Sequence, residues 1–218
     1  MTNKLFLSWL VYICVVLALL FVSYVSGLMP FVISLDKSYL TIILCILYGI
    51  SEIFSFFEFR KVNLIQNQVA TLKSVNDVLQ PSIFKNFIDS IKERKKNGGD
   101  KNVFLLSESF TDKLYISLST IYFFSSKIVW FGIFATIVGI ILSFLPFLSE
   151  GLTADTIKNN MTTFFSGVAV AFIPTAISFV FKIALDISTE ILSRAIDNII
   201  ADTKVIVETT IVPEVFKD

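Results

Sequence analysis

The run WFGIFATIVGIILS (Trp130–Ser143) sets Gly132, Thr136, Gly139 and Ser143 at intervals of four, three and four. On an α-helix those intervals share one face. A second stripe follows: Gly167, Ala171, Thr175 and Ser178, spaced four, four and three, with Ser166 and Pro174 beside it and Lys182 below. Small residues at this spacing let membrane helices approach closely, and their hydroxyls can bond a neighbouring backbone. The same hydroxyls can solvate an ion or organise water in a low-dielectric setting. Two readings therefore stand side by side, a packing seam and a narrow ion path. Hydroxyls hold no proton at neutral pH, so a proton path would need a carboxylate from elsewhere. Glu52 is the clearest intramembrane acid, with Lys182 or Lys127 as a partner in one reading. Lys182 and Asp186, four residues apart, form an intrahelical pair in the other.

The elements that must carry these stripes follow from composition. Of 218 residues, 55% are apolar, 23 are Phe and only 17% are charged, in long uncharged runs separated by charged segments. Soluble domains carry about 25% charged residues, so an all-α membrane protein is expected. Four runs can cross about 30 Å of hydrocarbon, which takes roughly 20 helical residues. They are Leu5–Gly27, Tyr39–Phe57, Ile128–Leu148 and Thr163–Leu185. The first exceeds the h-region of a signal peptide and is read as a retained span. Net charge is zero, which gives no basic field for nucleic acid. Cys14 and Cys45 lie in apolar runs, where cysteine is a small hydrophobe. With no His, no paired intramembrane aspartates and no Ser beside a base, neither an enzyme nor a metal site is expected.

Charge asymmetry sets the expected orientation. Arg60–Ser126 holds ten Lys/Arg, whereas Leu28–Ser38 holds only Lys37 and Ser149–Thr162 only Lys158. Both termini and the middle segment are then cytoplasmic, and the two short loops face the opposite side. The organisation is two N-terminal spans (1–58), a cytoplasmic helical region (59–127), two further spans (128–186) and a cytoplasmic helical tail (187–218). The second span is expected to continue as helix through Gln80. Pro81 opens a helix with Ile83, Phe84, Phe87, Ile88 and Ile91 on one face, and Asn97–Asp100 forms a turn. The basic run KERKK reads as a solvated positive-inside face. The tail is expected to extend the fourth span unbroken toward Pro213, with Ile187, Ile191, Ala195, Ile199 and Asp202 in register. The cytoplasmic segments are too short for a separate soluble domain and are expected to form a helical skirt, packed on itself or on copies of itself.

Gly132–Phe144, GIFATIVGIILSF, resembles the GxxGTxxGxxxxF core of the MotA/TolQ/ExbB family of ion-driven membrane motors. Phe164–Phe179, FFSGVAVAFIPTAISF, is similar to that family's last span. The likeness covers roughly Lys127 to Asp197, and four spans with both termini inside is the MotA arrangement. Ala135 stands where the family has glycine, and the last-span hydroxyl follows Pro174, which leaves Ser166 and Thr175 as alternatives. The resemblance implies that Gly132, Thr136, Gly139, Ser143, Ser166, Gly167, Ala171, Thr175 and Ser178 line an ion path for H+ or Na+. It also implies a pentameric ring around a dimeric partner, each partner chain having one span with an aspartate. A bacterial cytoplasmic (inner) membrane location and no cofactor follow from it. The competing expectation is an oligomeric four-span sensor or pore in signalling or defence, acting through a soluble partner, with the stripes as packing seams.

Overall fold

The computed structural model describes residues 4–35, 40–72, 81–150 and 154–217. These residues form α1 (Lys4–Val25), α2 (Leu28–Leu35), α3 (Leu40–Thr71), α4 (Ile83–Lys96), α5 (Phe104–Glu150), α6 (Ala154–Ala171), α7 (Ile173–Ile206), a π-helical turn (Val207–Ile211) and α8 (Val212–Val215). No strand occurs among the described residues. Four stretches are long and apolar enough to cross a membrane: α1, α3, Phe104–Leu145 of α5, and Asn160–Val215 through α6 and α7. The chain is thus built as a multi-pass membrane protein. At 47 residues, α5 is about 70 Å long, more than twice the hydrocarbon thickness.

Two compact units divide the chain, and α1, α3, α5 and α7 each run through both. The first comprises 1–12, 54–121 and 187–218. Its core has a sequence origin that is easy to follow. Ser82 rather than Pro81 caps α4, its side chain accepting from the Lys85 N–H at 3.1 Å. The 3.6-residue period then puts Phe84, Phe87, Ile88 and Ile91 on one buried face, with Ile83 half-buried at the first turn. Phe87 stacks on Phe110 of α5 at 4.9 Å between ring centres. The helix ends in the expected turn, where Gly98 takes φ +70, a left-handed conformation that glycine adopts without penalty. Trp9 of α1 lies against Phe56 and Phe59 of α3. The Lys95 ammonium donates to the Lys217 carbonyl at 2.8 Å. The Tyr115 hydroxyl donates to Asp197 at 2.6 Å.

This unit bears on three expectations. It has a buried interior of its own, so the skirt packs on itself. The tail's buried face runs through Ser188, Leu192, Ala195, Ile196, Ile199 and Thr203, whereas Ile187 and Asp202 are exposed and Ile191 is half-buried. The expected line is met at Ala195 and Ile199 and missed at Ile187 and Asp202. The tail does continue the fourth span as helix past Pro213, as expected. A π-helical turn at Val207–Ile211 leads directly into α8, which has Pro213 in its first turn; the one interruption, at Phe172, lies within the span itself. The expected extension of α3 is met as far as Thr71; Lys73–Gln80 lie outside the described residues.

The second unit comprises 13–53 and 122–186. Leu44, Tyr48, Ile128, Phe181 and Leu185 form its buried cluster, with the Tyr48 and Phe181 rings stacked at 4.5 Å. Between α1 and α3, where a short loop was expected, Leu28–Leu35 is helical.

Candidate functional site

The face that carries Gly132, Thr136, Gly139 and Ser143 looks at the other stripe of the same chain. α5 runs antiparallel to α6 and α7, and the two stripes mesh in register. A Cβ on Gly132 would fall on the Ser178 hydroxyl, 2.6 Å from Ser178 Cβ and 3.2 Å from the Pro174 carbonyl oxygen. One on Gly139 would lie 2.5 Å from Ala171 Cβ and 3.0 Å from its Cα. One on Gly167 would meet the Ser143 hydroxyl and come within 3.0 Å of Ser143 Cβ. At all three rungs glycine is what permits the approach. The close spacing is a property of backbones, and this is the role small residues serve between membrane helices.

Midway along the seam lies a group of four oxygen atoms. The Thr136 hydroxyl donates to the Ala171 carbonyl at 2.9 Å, and the Thr175 hydroxyl donates to the Gly132 carbonyl at 2.8 Å. The two hydroxyls also touch each other. Each has one proton, so two of these three contacts can be hydrogen bonds at once. The Ala171 carbonyl sits where the helix is interrupted. Pro174 has no N–H to give the Val170 carbonyl, and directly after Ala171 the chain passes through a turn at Phe172 before α7 begins. A hydroxyl from a neighbouring helix is one means of satisfying a carbonyl at such a break in a membrane helix. Thr136 therefore has a structural task at this break, beside any part in moving ions.

The seam continues below both stripes. The Ser125 hydroxyl donates to Asp186 Oδ1 at 2.6 Å, and the Lys182 ammonium pairs with Asp186 Oδ2. Ser125 is seven residues before Gly132, on the same helical line, and Asp186 is eight after Ser178. From Ser125 to Ser143 the contact covers about 27 Å of helix, close to the thickness of a bilayer core. At this lowest rung the Lys182–Asp186 pair was expected from sequence and the Ser125 contact was not. Ser125 was legible as one more heptad of the α5 stripe.

Among the expected site residues, Gly132, Thr136, Gly139, Ser143, Gly167, Ala171, Thr175 and Ser178 come together in this seam. Ser166 is exposed and stands outside it, so of the two candidate last-span hydroxyls only Thr175 takes part. Lys182 pairs with Asp186, as the in-helix reading expects, and Lys127 lies 5.4 Å above the Phe123 ring. Glu52 is half-buried on α3. No group of three metal-ligating side chains occurs among the described residues.

These features define an all-helical, four-span membrane protein with a hydroxyl-bearing seam in its second pair of spans. No protein-family model and no curated protein sequence matches the chain.

Proposed function

We propose that this chain is a ring-forming, pentameric subunit of an ion-driven energy-coupling complex in a bacterial cytoplasmic membrane. In this reading the ring surrounds a dimeric single-span partner and guides H+ or Na+ past it. Both termini and the first compact unit are cytoplasmic. The observation that carries the reading is the oxygen cluster of Thr136, Thr175, Gly132 and Ala171. It stands near the middle of two spans, and both threonines remain half-exposed in the single chain. Hydroxyl and carbonyl oxygens are suitable ligands for a partly dehydrated cation or for ordered water. The seam holds no carboxylate at that depth, so a proton or sodium ion would exchange with an acid supplied by the partner. A rigid hairpin suits such a wall, because close-packed backbones hold the oxygens in place. Only 11–28% of the residues in each apolar window are buried, which leaves wide span surface for lipid and for neighbouring copies.

A second reading has its own support. Gly132, Gly139 and Gly167 contact the opposite stripe so closely that packing alone accounts for them. The chain would then be an oligomeric four-span sensor or pore whose helical unit engages a soluble partner. Native mass spectrometry of the extracted protein, co-expressed with the products of neighbouring reading frames, separates the two. Five copies with two copies of a single-span protein are expected. A dimer or tetramer without such a partner would remove the ring reading and favour the second.

A further inference from the structure

The first eight residues of the connection between the first two spans, Leu28–Leu35, are mostly apolar where a loop facing water would be polar, and the charges of Asp36 and Lys37 come only after them. α1 has 22 residues, about 33 Å of helix, enough to reach the far side of the hydrocarbon. There Gly27, at φ +78, turns the chain, with its N–H donating to the Tyr24 carbonyl at 3.1 Å. α2 starts at the next residue, and its sequence, LMPFVISL, contains no charge. Eight residues span about 12 Å, too little to cross again. Leu28 (59%), Phe31 (62%) and Ile33 (41%) are exposed, whereas Met29 and Val32 are half-buried. The exposed side is continuous with the end of α1, where Phe21, Val22, Tyr24 and Val25 are all more than 60% exposed.

We propose that α2 is an interfacial helix seated in the lipid headgroup–acyl boundary, its apolar side bound to lipid and its position fixing the depth of α1. The continuity with α1 argues for lipid as the occupant, because a surface that leaves the bilayer along α1 passes into α2 without a polar break. The helix also suits a poorly hydrated site. Pro30 occupies the first turn, where a backbone N–H would have no helical partner, and so removes one donor that would need water. The Phe31 N–H is satisfied by the Gly27 carbonyl at 3.0 Å, and the Ser34 hydroxyl donates back to the Phe31 carbonyl at 2.7 Å. Bilayer-facing helices must satisfy their polar groups internally in this way. The inference rests on the four crossings alone and is independent of a ring or an ion path.

The test is spin-label accessibility of the full chain in phosphatidylcholine vesicles, with Cys14 and Cys45 replaced by serine. Phe31→Cys and Leu28→Cys each carry the label, and Lys158→Cys, exposed on the same side of the membrane, is the aqueous reference. Nickel chelate is loaded on both sides of the vesicle, so orientation does not matter. The ratio of oxygen to nickel-chelate collision is expected to be about tenfold higher at positions 28 and 31 than at 158, as for a helix buried at the acyl boundary. Equal ratios at all three positions would place α2 in water and overturn the proposal. Shielding of 28 and 31 from both reagents would overturn it too, since protein would then cover the helix. Using two labelled positions guards against one variant that does not fold.

Discussion

Gly139→Val is expected to prevent α5 from closing on α6, and to yield a chain that is expressed but unstable on extraction. Even the first added carbon would stand 2.5 Å from Ala171 Cβ and 3.0 Å from its Cα. Neither atom can rotate away, because one is backbone and the other is fixed to it. Relief requires the helices to part, and parting costs the contacts of neighbouring rungs as well. Overpacking in a tight core typically costs about 1–3 kcal/mol, and a clash with backbone belongs at the upper end. The seam also predicts an order. Alanine is worst at Gly139, intermediate at Gly132 and mildest at Gly167, where part of the clash is with the Ser143 hydroxyl and a rotamer change relieves it. Gly132→Ala carries its own remedy: adding Ser178→Gly removes both offending side-chain atoms and leaves only the Pro174 oxygen at 3.2 Å. Thermal melts of the extracted protein should show the double variant more stable than Gly132→Ala. If Gly132→Ala, Gly139→Ala and Gly167→Ala all melt like the parent, the helices do not meet at these rungs.

Thr136→Val separates packing from transport. Valine has nearly the volume of threonine, so the seam keeps its shape while the Ala171 carbonyl loses a donor. Hydrogen bonds between membrane helices are worth about 0.6 kcal/mol on average, so the variant should fold and assemble. Ion-driven flux in vesicles holding the chain with its co-purified partner should nevertheless fall about tenfold or more, equivalent to about 1.4 kcal/mol on the barrier. Thr136→Ser restores the hydroxyl and should recover most of the flux. A Thr136→Val protein with full flux would leave the threonine as a cap for the broken helix and would count against the ion path.

Much of this arrangement was readable from residue spacing. The glycine and hydroxyl stripes needed only a 3.6-residue period to appear, and the α4 core of Phe84, Phe87, Ile88 and Ile91 followed from the same count. What spacing could not supply was the partner of each stripe. A face of small residues is equally suited to a neighbouring helix, a second copy or an aqueous path, and only the fold selects among them. In the tail the expected line is met at Ala195 and Ile199 and missed at Ile187 and Asp202, where the adjacent Ser188 and Thr203 point inward instead. In a helix next to a bilayer apolarity is a weak guide to burial, since lipid accepts an exposed isoleucine at no cost while a buried serine can be tolerated. The α2 helix was missed for a related reason: a short apolar stretch between two spans has too little length to signal a helix of its own.

The central claim is that both stripes belong to one seam within a single chain. Cysteine cross-linking tests it most directly. With Cys14 and Cys45 replaced by serine, Ser143→Cys and Gly167→Cys are combined in one chain and oxidised in the native membrane. A Cβ at position 167 lies 3.0 Å from that of Ser143, near the range of about 3.5–4.5 Å that a disulfide spans. The account predicts a fast intramolecular cross-link, seen as a mobility shift of the monomer band, with little dimer. Dimers and higher ladders in place of that shift would mean that the stripes face each other across copies, and the seam described here would be wrong.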